Sequence, residues 1–155
     1  MSVFSASKRS TADVAYPRDA VWAVLTDASQ VAKLTPMVRS IEDHGETWLW
    51  KLAPIEVLGK SIGVAFTERM DFTPRERITY THAPRGQERA GVEGVYVLAD
   101  RGDGTRLSIE LRVDVDLPFP RLAKPAVQAS MQAVIAAMGA GFARNLERRL
   151  KAGHN

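Results

Sequence analysis

"TRLSIELRVDVDL", residues 105–117, alternates apolar and polar side chains over its whole length. Thr105, Leu107, Ile109, Leu111, Val113, Val115 and Leu117 share one face; Arg106, Ser108, Glu110, Arg112, Asp114 and Asp116 share the other. Successive side chains of a strand point to opposite faces, so this segment reads as a strand with one side in a core and one in water, the pattern of an antiparallel sheet. Pro118 and Pro120 end it, and beyond them the period changes. From about residue 121 to 151, Val127, Met131, Ile135, Met138, Phe142, Leu146 and Leu150 recur at steps of three and four, which predicts one long helix with a single apolar stripe.

Working toward the N-terminus, "RGDG" at 101–104 is a tight hairpin connection, and it predicts Leu98, Tyr96 and Val92 opposite Leu107, Ile109 and Val113. Five more runs carry the two-residue period between Gly, Pro and Asp-Gly punctuation: 37–45, 47–54, 55–74, 75–84 and 88–100. Upstream, "VFSASKRSTADVA" (3–15) alternates weakly as a first strand. "YPRDAVWAVLTD" (16–27) then predicts a short helix with Pro17 in its first turn and Val21, Trp22 and Leu25 as its stripe. Asp27 and Ser29 are both suited to cap a second short helix, "QVAKL", which Pro36 ends.

With 155 residues, 45% of them hydrophobic and 25% charged, the chain suits one globular domain spanning 1–155. The absence of cysteine removes disulfides, thiolate nucleophiles and cysteine metal sites. The N-terminus lacks the order of a signal peptide, and "AVIAAMGAGFA" (133–143) reads as too short to span a bilayer; a soluble, cytoplasmic protein is expected. The net charge of +3 gathers in "RNLERRLK" (144–151), where basic residues complement a helix C-terminus. No aromatic residues interleave with a basic stripe, so no nucleic-acid partner is expected. The expected assembly is a monomer or homodimer.

A strand, two short helices, six antiparallel strands and a long C-terminal helix together resemble the START-like superfamily, also called SRPBCC or Bet v 1-like, and especially its polyketide cyclase/dehydrase-type members. The residues that carry the resemblance are "VAYPRDAVWAVLTD", "KLTPMV", Trp48 and Trp50 before Gly59, "TPRERITYTHAP", "GDGTRLSIEL" and the terminal amphipathic helix. The resemblance implies an α+β helix-grip fold: a curved seven-stranded antiparallel sheet wrapped around the long helix, with two short helices after strand 1 and a cavity between sheet and helix. Residue volumes point the same way. Ala126, Ala129, Ala133, Ala136, Ala137, Gly139, Ala140 and Gly141 leave little side-chain volume along the helix, and "GAG" permits a bend there.

On the two-residue period, Trp48, Trp50, Phe66, Glu68, Met70, Phe72, Tyr80, His82, Tyr96 and Ile109 fall on the sheet face toward the helix, and Met131, Ile135, Met138 and Phe142 face them. These residues, Phe72 excepted, form the expected ligand site. Glu68 is the one acid on the inward face of the clearest strands. Buried alone, it would have a raised pKa and serve as a general acid or base; paired with an inward Lys8, bonded to a tyrosine or placed near a rim, it would be structural. His82, before Ala83 and Pro84, is expected at a loop mouth. The histidines, His44, His82 and His154, have no metal-ligand spacing, and no nucleophile elbow or dinucleotide loop is present, so neither metal nor cofactor is expected. Binding of a lipid- or polyketide-like hydrophobic molecule is the expected function. The alternatives are a cyclase/dehydrase-like enzyme using Glu68 with Tyr80, Tyr96 or His82, and a protein-interaction module without ligand.

Overall fold

The computed structural model describes residues 2–153. Strand β1 (Ser2–Val14) leads into helices α1 (Arg18–Leu25) and α2 (Ala28–Leu34). Strands β2 (Val38–Asp43), β3 (Thr47–Leu52), β4 (Ile55–Val57), β5 (Lys60–Ile62), β6 (Ala65–Thr73), β7 (Arg77–His82), β8 (Ala90–Arg101) and β9 (Gly104–Leu117) follow. A 3₁₀ turn at Arg121–Ala123 opens helix α3 (Lys124–Gly153). The main sheet has seven strands in the order β1-β9-β8-β7-β6-β3-β2, with every pairing antiparallel. This is the helix-grip arrangement expected from the sequence.

The β8–β9 hairpin has the expected register, with Leu98 opposite Leu107, Tyr96 opposite Ile109 and Val92 opposite Val113. The run 55–74 departs from expectation, because it is not one strand. Leu58 (φ 47°) and Gly59 (φ 80°) occupy the left-handed region and close the small β4–β5 hairpin, a two-residue turn whose twist suits antiparallel strands. The hairpin buries Val57 and Ile62, and β6 starts afresh after Gly63.

Asp27 caps α2, accepting from Gln30 N at 3.2 Å, whereas Ser29 lies within the first turn. Phe72 also departs from the expected inward set. It shares the phase of Met70 but is 41% exposed near the end of β6, where it packs edge-on against Trp22 and beside Trp48. The strand there has run past the core that would cover it.

Helix α3 lays Val127, Met131, Phe142, Leu146 and Leu150 into the fold. By length and composition the helix with its leading turn suffices to cross a membrane, more than the shorter 133–143 run suggested, but this apolar stripe packs within the fold. The helix is continuous through "GAG". Gly141 permits close packing: a Cβ there would lie 2.3 Å from the Pro36 ring. Two apolar clusters result. One joins α1, α2 and the C-terminal half of α3 to Trp48, Ile78, Leu98 and Leu107; the other gathers Phe4, Leu52, Val57, Ile62, Phe66 and Leu117 around Val127 and Met131.

Candidate functional site

Where the middle of α3 passes over the sheet, Ala136, Gly139, Ala140 and Ala143 do not reach the strands, and a cavity of about 490 Å³ remains. That volume lies in the range of small-molecule pockets. Trp48, Trp50, Phe66, Glu68, Met70, Tyr80, Tyr96, Ile109, Met131, Ile135, Met138 and Phe142 all line it. They come from β3, β6, β7, β8, β9 and α3, so only the closed sheet and its helix bring them together. Trp50 stacks on Phe66, with centroids 5.7 Å apart and planes at 15°. Trp48 is buried beside them.

Tyr80 and Tyr96 tilt together at 5.2 Å between ring centroids. Room for Tyr80 comes from Gly94, which pairs with it: a Cβ on Gly94 would stand 2.2 Å from the Glu110 carbonyl oxygen and 2.6 Å from the Tyr80 hydroxyl oxygen. This glycine is not among the expected site residues. Its signal was a glycine inside a strand pattern, "GVEGVYV", which marks a close approach. Burial drives both phenols well above their ordinary pKa, and the nearby Glu68 charge pushes them further. Both remain protonated donors at neutral pH.

Glu68 sits opposite Trp48 on β3 and His82 on β7 and is 3% exposed. Neither Lys8 nor a tyrosine pairs with it; among the described residues no ion pair or hydrogen bond of normal geometry reaches its carboxyl. Burial therefore dominates and pushes its pKa from the ordinary 4.5 up to about 8. The Trp50 indole N–H faces the carboxyl and offsets part of that rise, though it meets no acceptor at full hydrogen-bond geometry. At neutral pH Glu68 is a carboxylic acid rather than a carboxylate. Such a group in an apolar wall donates a hydrogen bond or delivers a proton.

His82 corrects the expected site, for it does not line the cavity. Ala90 and Val92 do, so Gly91 between them faces away, and the His82 ring lies against Gly91, where a Cβ would come within 2.3 Å of Nδ1. His82 is the last residue of β7, where the alternation no longer dictates direction. Its Nε2 is 2.8 Å from Oε1 of Glu88. The same carboxylate accepts from the Thr67 backbone N–H at 2.8 Å, the Thr67 hydroxyl at 2.6 Å and the Arg85 N–H at 3.2 Å. Although its burial acts the other way, these bonds hold the Glu88 pKa below the usual range. The cluster fastens the β7–β8 loop to β6.

Among the described residues no group of three or more His, Cys, Asp or Glu converges to hold a metal. His44 lies 3.3 Å from a surface Glu42, and His154 lies outside the described residues.

A sheet gripping a long helix over an apolar cavity defines a START-like protein. The chain belongs to the polyketide cyclase/dehydrase and lipid transport family, whose model matches residues 5–150. No curated protein matches the sequence. Among solved structures, a Thermus thermophilus protein is similar at 20% identity with a TM-score of 0.72, over 97% of this chain and 100% of that one. The Zhui aromatase/cyclase of a Streptomyces species is similar at 17% identity and TM-score 0.70, over 97% and 96% of the two chains. A START superfamily protein from Mycobacterium smegmatis is similar at 18% identity and TM-score 0.69, over 94% and 97%. At these identities the likeness is one of fold.

Proposed function

We propose that this protein binds a hydrophobic small molecule, lipid- or polyketide-like, in the cavity between the sheet and α3. The observation that carries this reading is the cavity itself: about 490 Å³, walled by aliphatic and aromatic side chains, with Glu68, Tyr80 and Tyr96 as polar groups on one stretch of its wall. An apolar enclosure removes ligand surface from water, and a few fixed donors orient what enters. The family description, which includes lipid transport, supports the same class of ligand. Native mass spectrometry of protein purified from its own host should show a retained small molecule, and a panel of lipids and polyketide-like aromatics should raise the melting temperature. Folded protein that retains nothing and responds to none of the panel would overturn the reading.

A second reading is favoured by one observation, the Glu68 carboxyl titrating near 8 beside two phenols. A polyketide-like ligand with enolisable carbonyls would find there an acid and base matched to neutral pH, with Tyr80 and Tyr96 donating to its oxygens. Glu68→Gln should then abolish turnover of such a substrate while sparing its binding. Unchanged turnover would remove Glu68 from the chemistry.

A further inference from the structure

The inner face of β1 runs Phe4, Ala6, Lys8, Ser10, Ala12, Val14, and its ends are buried while its centre is not. Ser10 is exposed although it shares the phase of the buried Phe4 and Val14, so the sheet face is uncovered there. The cause lies in α3. Its first half is tied to the β1 edge, with Gln128 Nε2 donating to Ser5 O at 3.0 Å and Gln132 Nε2 to Ser7 O at 3.2 Å. Past Gln132 the cavity reaches Lys8, Ser10 and Ala12 on one side and the small Gly139, Ala140 and Ala143 on the other. This is the mouth.

Lys8 lines that mouth and is half-buried, opposite Leu111 of β9, which also lines the cavity. A lysine on the core face of a sheet spends its stem on apolar surface and extends its ammonium toward water. Several long cations elsewhere on the sheet have partners, as Arg9 meets Glu110, Arg106 meets Asp13 and Lys51 meets Glu42, and among the described residues that line the cavity Lys8 is the one cation. Lys8 forms no ion pair among the described residues. The other acids at the cavity do not neutralise it, since Glu68 is protonated at neutral pH and the exposed Glu147 on α3 makes no salt bridge with Lys8. One pole of an apolar cavity therefore carries an unpaired cation, and the interior carries a neutral acid and two phenols.

Resting on the ligand-binding reading above, we propose that Lys8 recognises an anionic head group, and that the ligand is an amphipathic carboxylic acid whose apolar body fills the cavity and whose carboxylate stays at the mouth. The polarity of the site sets this orientation. A carboxylate at the interior end would meet no cation and lose its hydration, whereas at Lys8 it gains a charge-assisted hydrogen bond and keeps contact with water.

The test compares dodecanoate with dodecanol at neutral pH and low salt by isothermal titration calorimetry, on wild type, Lys8→Met and Lys8→Arg. Wild type should prefer the acid by about fivefold, the scale of a partly exposed charge pair, and the preference should weaken with added salt. Lys8→Met should bring the two affinities together, and Lys8→Arg should restore the preference, which a purely structural lysine would not do. Equal binding of acid and alcohol by wild type, or a preference that survives Lys8→Met, would overturn this proposal and leave the cavity reading standing. Failure of both probes to bind folded wild type would overturn this proposal, and the cavity reading falls with it only if the wider panel and the search for a retained ligand fail as well.

Discussion

Glu68→Gln replaces a buried titrating acid with a neutral group of the same shape, and its effect on stability should depend on pH in a defined way. In the unfolded chain Glu68 ionises near its ordinary 4.5, whereas in the native protein it holds its proton until about 8. Below the lower value both states are protonated, and wild type and variant should be equally stable. Between the two values the unfolded state has released a proton that the native state keeps, so rising pH favours unfolding by about 1.4 kcal/mol per pH unit. Above about 8 the native acid ionises too and the deficit stops growing. Burial of the free carboxyl thus costs wild type roughly 5 kcal/mol at most, and about 3 kcal/mol at pH 7, relative to the variant. Urea denaturation of both proteins from pH 4 to pH 9 measures this directly. At pH 7 the variant's midpoint should lie about 1–2 M higher, for an m-value of about 2 kcal/mol/M. Every other titrating group is common to both proteins and cancels in the difference. A stability difference that stays constant across the range would show that Glu68 titrates normally, and would remove the neutral acid from the site.

Trp50→Phe keeps the stack on Phe66 but removes the indole dipole that holds the Glu68 pKa down, so the upper break in the same pH profile should move higher. The glycines of α3 should behave oppositely under substitution. Gly141→Ala drives a Cβ into the Pro36 ring and should cost about 1–2 kcal/mol, while Gly139→Ala, whose Cβ meets nothing within 4 Å, should stabilise by about 0.5–1 kcal/mol in thermal or urea melts. Glu88→Ala leaves the buried Thr67 without its acceptor and should cost about 1–3 kcal/mol at pH 7. Because the folded-state pKa of Glu88 is depressed, that contribution is present above the unfolded carboxyl pKa and should fade as acid protonates the group.

The sheet and its helix were legible because their signals are local. The alternation of 105–117 and the register it shares with 92–98 need only neighbouring residues and one hairpin turn. Glu68 was legible as an anomaly for the same reason, being an acid in an apolar phase. His82 was not, since at a strand end the period loses its hold and the bare surface of Gly91, a residue on another strand, decides where the ring goes. The run 55–74 misled because a left-handed turn at Leu58 and Gly59 folds it back, and the one trace of it in the pattern is the shift of the apolar phase from Ile55 and Val57 to Ile62, Val64 and Phe66.

By itself, then, the chain's two periods determine a curved antiparallel sheet, a long amphipathic helix and, away from the strand ends where Phe72 and His82 lie, the side chains between them, because side-chain direction follows from backbone geometry a few residues at a time. The tertiary structure decides how far the helix stands from each strand, and that distance leaves the cavity open, leaves Glu68 without an ion pair among the described residues and stations Lys8 at the mouth. Those are properties of the space between elements, and no stretch of sequence contains that space.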